Sequence, residues 1–509
     1  MPVFGYLDSS INLHHSFWQP LPTDFSTASL CPSHMGQLQV AEGDNDIEFC
    51  QLALVGSQLY KYHGDWTDPT HIEVVELKWK VADLFFEETE TENIYGFSLK
   101  GKDSITEFYA DSPEELSGWL DQLSEICILS GFENEFDVLH PIGEGSTAKI
   151  YSVMSSADRS LYAAKRLSKS ALNDNPLMIA AVKNEIEALR KVKHKNVMKM
   201  YRVYDLPEDI CVILEHLPYG TLASRLRARK KLSELTACKI IWALLDTVEH
   251  LHKQGIIHRD LKLENILMAS EHDDTDFRVA DFGLAVLDTR EVHSLRSGSP
   301  GYMAPEILDN KLYGSKVDMF SIGVILYSML TGKLPFDAPK VTQIIELNKK
   351  CKIDYNSAEL QSVSVSALGV LKALTNANPR SRPCASNAKN SFWFISQSVP
   401  RIHISPVKNP ITPRRHLIIR SPSIFDVSPQ ANYPLIPHRK VITPKRLLQL
   451  ISPKFYSPQE EIRAHPTKTS KVRSKIFSFE REALQVMCNL EVTARSEYTT
   501  IRISQANVA

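Results

Sequence analysis

The sequence predicts an α+β protein of two folded regions followed by a long polar tail. Three observations predict it. Residues 35–130 string together β-branched and aromatic runs and end in a capped helical pattern; residues 134–394 begin with strands around a glycine turn and continue as helices; residues 395–509 are rich in proline, serine and arginine with weak periodicity. A chain of 509 residues exceeds what one hydrophobic core serves, which agrees with separate folded units. The predicted plan is a flexible leader at 1–34, a first domain at 35–130, a second at 134–394, and a mostly disordered basic tail at 395–509.

Composition narrows the class. The hydrophobic share of 43% is that of a soluble globular protein. Eight cysteines are scattered with no C-x-x-C pair, so a reducing, cytoplasmic setting is expected, without disulfides or a zinc site. The start, MPVFGYLDSSINLHH, lacks the basic and apolar regions of a signal peptide. The strongest apolar run, Met319 to Leu330, is shorter than the ~20 residues a membrane span requires and reads as a buried helix. The net charge of −2 hides a gradient: residues 1–133 carry 5 Lys and Arg against 23 Asp and Glu, residues 134–394 carry 35 against 30, and residues 395–509 carry 18 against 7. Such asymmetry fits an external partner, and equally fits contact of the acidic first domain or the basic tail with the rest of the chain.

In the first domain the strand candidates are FCQLALVGSQLYKY, IEVVELKWKVADLFF, and the pair IYGFSLKG and ITEFYAD joined through Gly101, Lys102 and Asp103. The next element, a helix, is capped by Ser112, has Pro113 in its first position, and carries Glu115 three residues on, which predicts a capping box. Leu116, Trp119, Leu120, Leu123 and Ile126 share one face of it. This series of strands closed by a Trp-bearing helix resembles a pleckstrin-homology (PH) domain, a small β-barrel or sandwich with a C-terminal helix. Many PH domains hold phosphoinositides through cations on the first strand pair. Here QVAEGDNDIEF carries Glu42, Asp44, Asp46 and Glu48 and no cation, so weak or no phosphoinositide binding is expected. Lys61, Lys78 and Lys80 read as solvated strand-face residues. A role in protein contact or autoinhibition is the expectation that remains.

The second domain opens on HPIGEGSTAKIYSV, residues 140–153. From Gly143 it lies two substitutions from the phosphate cradle G-x-x-x-x-G-K-[ST], and it also nearly matches the hairpin pattern G-x-G-x-x-G-x-V. The exit KIYSVM is β-branched and aromatic, which predicts a returning strand rather than the helix a phosphate cradle needs. Lys165 then lies on the next strand, in SLYAAKRL. In IAAVKNEIEALRKVKHKN the residues Ile179, Val182, Ile186, Leu189 and Val192 form a helical stripe, and Glu185 borders it facing inward. Next comes IIHRDLKLENIL, which holds Asp260, Lys262 and Asn265, and sixteen residues beyond Asn265 comes Asp281 in VADFGLA.

In this order and spacing the motifs match the serine/threonine protein kinases, whose catalytic loop reads H-R-D-x-K-x-x-N. The resemblance covers the whole of 134–394 and is similar in style to the calmodulin-dependent kinase group. It implies a bilobal fold with a β-rich N-lobe at 134–214, a hinge at 215–217 and a helical C-lobe at 218–394. It implies Asp260 as the base, Lys262 as neutraliser of the γ-phosphoryl charge, and Lys165, paired with Glu185, on the α- and β-phosphates. ATP would be enclosed by Ile142, Gly143, Gly145, Ala148, Ile150, Ala163, Leu214, Glu215 and Leu217, with Leu214 as gatekeeper; Asn265 and Asp281 would ligate Mg. Protein hydroxyls are the implied substrates. GYMAPE, from Gly301 to Glu306, matches the end of an activation segment, and Arg382 in NPRSRP is placed to pair with Glu306. Asp318 marks the helix that anchors the catalytic loop, with Phe320 where tryptophan is common.

Some residues depart from the pattern. Ala148 replaces the third glycine, and Thr221 stands where arginine-directed relatives carry an acid, although Glu264 is retained. Arg259 suggests control by phosphorylation of the activation segment, with Thr289, Ser294, Ser297 and Ser299 as candidates; Ser299 fits the substrate-contacting loop better. The tail holds seven Ser/Thr-Pro pairs, at 405, 412, 421, 428, 443, 452 and 457, three of which resemble substrates of proline-directed kinases. Its spread-out basic residues predict no nucleic-acid binding, and FEREALQVMCNLEV reads as a short amphipathic helix. Two other readings compete: a pseudokinase scaffold, opposed by the intact motif residues, and a membrane adaptor, opposed by the acidic first hairpin.

Overall fold

The computed structural model describes residues 17–22, 25–42, 47–88, 93–100, 105–144, 148–173, 175–287 and 296–397. Gly145, Thr289, Ser294, Asp44, Asp46, the Gly101–Asp103 turn, the seven Ser/Thr-Pro pairs and the expected tail helix lie outside them.

The N-terminal module is an antiparallel meander. Strands β2 (His34–Glu42), β3 (Glu48–Val55), β4 (Gln58–Asp65) and β5 (Asp68–Glu76) follow one another, with β1 (Gln19–Pro20) on the β5 edge. Strands β6 (Val81–Glu88), β7 (Asn93–Lys100) and β8 (Ile105–Ala110) return along β2, and helix α1 (Pro113–Ile126) closes the module. Alternate strand residues point inward, as a sheet with one core face requires. Leu38, Leu52, Leu54, Phe97, Leu99 and Phe108 are buried with Trp119, Leu116 and Leu123 of α1. The Ser112 hydroxyl accepts from the Glu115 N–H at 3.2 Å. The expected capping box forms one residue early, because the Glu115 carboxylate accepts from the Asp111 N–H at 3.0 Å rather than from the cap residue.

Two other expectations are corrected. IEVVELKWKVADLFF is two strands, not one: Leu77 is buried, the Lys80 N–H turns back to the Leu77 carbonyl at 3.0 Å, and Lys78, Trp79 and Lys80 form the turn between β5 and β6. Lys61 is not solvated. It is 9% exposed, paired with Glu73 at 2.6 Å and Glu42 at 3.5 Å, and its ammonium lies 5.1 Å from the Trp18 ring centre. Lys80 lies 5.7 Å from the Phe17 ring centre.

A two-residue strand, β9 (Ile128–Leu129), joins the module to the kinase-motif region. It pairs in parallel with β6 on one side, Val81 opposite Ile128 and Ala82 opposite Leu129, and with β13 (Met200–Asp205) on the other, Tyr204 opposite Leu129. After it come α2 (Phe132–Glu135), β10 (Phe136–Glu144), β11 (Ala148–Ser155), β12 (Leu161–Ser168), α3 (Lys169–Asn173), α4 (Pro176–Lys191), β13 and β14 (Asp209–Glu215). One sheet of fourteen strands results, ordered β1-β5-β4-β3-β2-β8-β7-β6-β9-β13-β14-β12-β11-β10. Within the kinase-motif region its strand β14 is buried on both faces. On β14, Cys211 and Ile213 join the module's core, whereas Ile210, Val212 and Leu214 join the core under α4.

The remaining region is helical, with α5 (Leu222–Arg229), α6 (Glu234–Lys253), the ribbon β15 (Ile266–Met268) and β16 (Phe277–Val279), then α7 (Pro305–Leu308), α8 (Lys316–Thr331), α9 (Val341–Lys350), α10 (Val365–Leu374), α11 (Ala385–Lys389) and α12 (Phe392–Ser396). Helix α8 is buried from Val317 to Thr331, as its continuous apolar run predicts, and the others pack around it. Among the described residues no helix is long and apolar enough to cross a membrane.

Candidate active site

The glycine turn closes a hairpin. Gly143 lies opposite Ile150 and Glu144 opposite Lys149, so the chain leaves the turn as a strand. Ile142 and Ile150 are half-buried against the core, and Ala148 is buried, its methyl accommodated by the packing. On β12, Ala163, Lys165 and Leu167 share one face. Ala163 faces Leu214 of β14, and Lys165 faces Ile150 and Val212.

Helix α4 starts at Asn175, whose side chain accepts from the N–H groups of Leu177 and Met178, with Pro176 in the first position. Val182, Ile186 and Leu189 bury its stripe. That orientation carries Glu185 inward, where both carboxylate oxygens meet the Lys165 ammonium at 2.7 and 2.6 Å. Burial alone would lower the lysine's pKa; the charges of Glu185 and Asp281 outweigh it and hold the pKa above the ordinary value.

The loop after α6 hangs on one carboxylate. Asp318 of α8, wholly buried, accepts from the His258 and Arg259 N–H groups at 3.0 and 2.9 Å and lies 2.8 Å from His252 Nε2. Those bonds hold Arg259 at a φ of 67°, a left-handed conformation that costs a non-glycine residue about 1 kcal/mol or more. Asp260 is thereby aimed into the cleft. Its Oδ1 accepts from the Ser299 N–H at 2.8 Å, Asn265 Nδ2 lies 3.2 Å from Oδ2, and Lys262 Nζ lies 3.1 Å away. Burial pushes the Asp260 pKa up, but Lys262, the Ser299 bond and His258 together hold it below the ordinary carboxylate value. Lys262 also donates to the Ser299 hydroxyl at 2.9 Å. Gly298 permits this approach, because its φ is 128° and a Cβ there would sit 2.8 Å from the Arg259 carbonyl.

The spacing of Asn265 and Asp281 is explained by the β15–β16 ribbon between them. Ile266 pairs with Val279, and the Ala280 N–H donates to the Asn265 carbonyl at 2.9 Å, so the two residues emerge side by side. Asp281 has a φ of 65°, Phe282 behind it is wholly buried 4.7 Å from the His258 ring, and the Gly283 N–H donates to Asp281 Oδ1 at 3.4 Å. Across the cleft, Leu214 is buried and Leu217 half-buried. The Glu215 carboxylate is turned away and held by Arg278 Nε at 3.1 Å from each oxygen. Farther off, Arg382 grips Glu306 through both oxygens at 2.6 and 2.7 Å and stacks on Phe320 at 4.9 Å.

Several partners carry no motif. Arg259 donates to the Leu284 carbonyl at 2.6 Å and the Tyr313 hydroxyl at 3.0 Å; among the described residues no carboxylate pairs with it. Arg278 and Tyr313 have no signal in the sequence. His252 has one, since it lies in the turn of helix just before the loop.

Comparison with known proteins agrees with this geometry. Residues 136–394, just over half the chain, match the protein kinase domain family. A probable serine/threonine-protein kinase 2 of Plasmodium falciparum is 34% identical over 301 residues, covering 59% of this chain and 56% of that protein. A calcium/calmodulin-dependent protein kinase type 1 of Caenorhabditis briggsae is 32% identical over 270 residues, covering 52% of this chain and 74% of that protein. The human type 1B calcium/calmodulin-dependent kinase is 30% identical over 259 residues, covering 51% of this chain and 75% of that protein. The chain belongs to the protein kinase family and is an ATP-dependent serine/threonine protein kinase.

Proposed function

We propose that this kinase transfers the γ-phosphoryl group of ATP to protein serine and threonine hydroxyls through Asp260, Lys262, Lys165 and Glu185. The observation that carries the reading is the convergence on Asp260, which is aimed into the cleft, has Lys262 at 3.1 Å and is tied to Ser299 of the segment where a substrate would lie. The substrate oxygen attacks the γ-phosphorus, the bond from that phosphorus to the β–γ bridging oxygen breaks, ADP keeps the electron pair, and the hydroxyl proton passes to Asp260. Lys262 offsets charge on the transferring group, and Lys165, fixed by Glu185, holds the α- and β-phosphates. Gly143 and Gly145 would let the backbone approach the phosphates, with Ala148 a mild departure at the third glycine position. Ile142, Ile150, Ala163, Leu214 and Leu217 give adenine an apolar slot whose hydrogen bonds come from the backbone of Glu215 and Leu217, a role to which the turned-away Glu215 side chain is no obstacle.

The donor set at Asn265 and Asp281 fits magnesium. Both offer hard oxygens, since Asn265 uses its amide nitrogen on Asp260. Among the described residues no group of three His, Cys, Asp or Glu side chains could hold a metal unaided, so phosphate and water would complete the shell. Bound there, magnesium supplies charge neutralisation to the phosphates.

We further read the N-terminal module as PH-like, on its four-strand and three-strand meander closed by a helix, with weak or no phosphoinositide affinity because Lys61 is buried against Glu42 and Glu73. Phosphorylation of the activation segment and of the Ser/Thr-Pro pairs remains the proposed control. Labelled ATP, a degenerate peptide library and an Asp260→Asn control test the main claim. Transfer is expected in the wild-type protein and a loss of about 10³-fold or more in the control; equal rates in both would refute the assignment.

A further inference from the structure

Helix α4 is held from both sides. Its inner side presents Glu185 to Lys165; its outer side meets the turn between β5 and β6 of the N-terminal module. Arg190 Nη1 donates to the Lys78 carbonyl at 2.9 Å, and Nη2 donates to the Cys127 carbonyl at 3.1 Å, just before β9. Trp79 completes the seat: the Arg190 guanidinium lies 5.6 Å from its ring centre and Lys183 Nζ 5.4 Å. Lys183 and Arg190 are seven residues apart, so about 100° per residue brings them to one face, with Glu185 about 140–160° around the helix from it. Arg190 is half-buried, and no carboxylate lies within ion-pair distance of it among the described residues. Its charge is met by two carbonyl dipoles and an aromatic face, which fix direction as well as position. Burial pushes its pKa down to about 10, which leaves it charged at neutral pH.

The turn itself cannot drift independently. The Ile128 N–H donates to the Lys80 carbonyl, the Ser130 N–H to the Ala82 carbonyl, both at 3.0 Å, and β9 continues into the kinase sheet through β13. The same sheet carries Lys165 on β12. The two partners of the inner ion pair are thus referred to one frame, Lys165 through the sheet and Glu185 through Trp79 and Arg190.

We propose that Trp79 and Arg190 are positioning residues for phosphoryl transfer: the N-terminal module seats α4 so that Glu185 holds Lys165, and so supports catalysis rather than inhibiting it. The docked module and the closed Lys165–Glu185 pair occur together, which is the opposite of what an autoinhibitory clamp on α4 requires. This inference rests on the assignment of Lys165 and Glu185 to ATP, and predicts that loosening the module's turn lowers ATP use.

The test uses the full chain with Trp79→Ala, Arg190→Met and the milder Trp79→Phe, each also placed in a Glu185→Gln background. Peptide phosphorylation gives kcat and KM for ATP and for peptide, and equilibrium titration with a fluorescent ATP analogue gives Kd without turnover. Trp79→Ala and Arg190→Met are expected to reduce kcat/KM for ATP and weaken nucleotide binding by about tenfold, within the usual range of coupling between sites. KM for peptide should change little, Trp79→Phe should retain most of the activity, and neither substitution should add a loss on top of Glu185→Gln. Increased activity would overturn the proposal in favour of autoinhibition. Unchanged ATP parameters, or equal losses with and without Glu185, would reduce the contact to packing. If Trp79→Ala does not fold, Trp79→Phe and Arg190→Met carry the same readouts. A wild-type chain that binds nucleotide but matches Asp260→Asn in transfer would refute the catalytic assignment, while the binding titration still decides the seating of α4.

Discussion

Each lobe of the kinase region contains a buried ion pair, and the two are built for different work. Arg382 and Glu306 are almost wholly inaccessible, bidentate, and backed by the Asn376, Ala377 and Lys316 carbonyls and the Phe320 ring. Lys165 and Glu185 are also buried, but their side chains keep 18% and 10% exposure, one ammonium meets one carboxylate, and the pair faces the cleft. In the first pair all five N–H groups of Arg382 are used within the protein, so it can only hold structure together. The second leaves directions open for a ligand. Burial alone therefore does not tell a structural pair from a working one; the number of internal partners does.

Three substitutions sharpen this contrast. Arg382→Ala strands the Glu306 carboxylate in a closed site, so a loss of about 3–5 kcal/mol is expected, seen as a fall in melting temperature of roughly 10 °C or more. Lys165→Met should reverse the pattern: kcat/KM for ATP falls by about 10²- to 10³-fold, while the melting temperature moves far less than in Arg382→Ala, since cleft water can reach Glu185. Equal thermal effects would erase the distinction. Lys262→Met has the smallest expected effect on stability and a directional one on pH. Burial is the largest influence on Asp260 and pushes its pKa up, and Lys262 is the first of the groups that hold it down. Without that ammonium the carboxylate takes a proton at higher pH, so the acid limb of the residual rate should move to higher pH. A limb that stays in place would separate Lys262 from the ionisation of Asp260.

The cleft was legible in the sequence to an unusual degree, and the reason is geometric. Asp260, Asn265 and Asp281 sit on a tight loop and a two-stranded ribbon, where contacts are local and spacing along the chain translates directly into placement. Lys165 and Glu185 were readable because a strand and an amphipathic helix each fix the direction of a side chain. Partners reached across the fold were not. Arg278 on Glu215 and Tyr313 under Arg259 are contacts of long sequence separation with no pattern to announce them. Lys61, Lys78 and Lys80 were misread because a cation in a strand pattern is ordinarily solvated, whereas Trp18 and Glu73 enclose Lys61 and a turn interrupts the strand. The second buried face of the kinase sheet did leave a trace. ICVIL, residues 210–214, is apolar without alternation, the mark of a strand covered on both sides, and the covering element is the N-terminal module.

The two residues of β9 matter also to the newly made chain. Strand β6 is the last of the module's meander and presents an unpaired edge, a template for other chains. The strand that carries the finished sheet on past β9, β13, is synthesised more than a hundred residues after β6. Ile128 and Leu129, which lie opposite Val81 and Ala82, are synthesised much sooner. Farther along that edge Asp83 binds Ser130 and Lys100. The residues that cover the module's sticky border are thus made as part of the module's own end, before β13, and the same two residues set the register on which the kinase sheet continues.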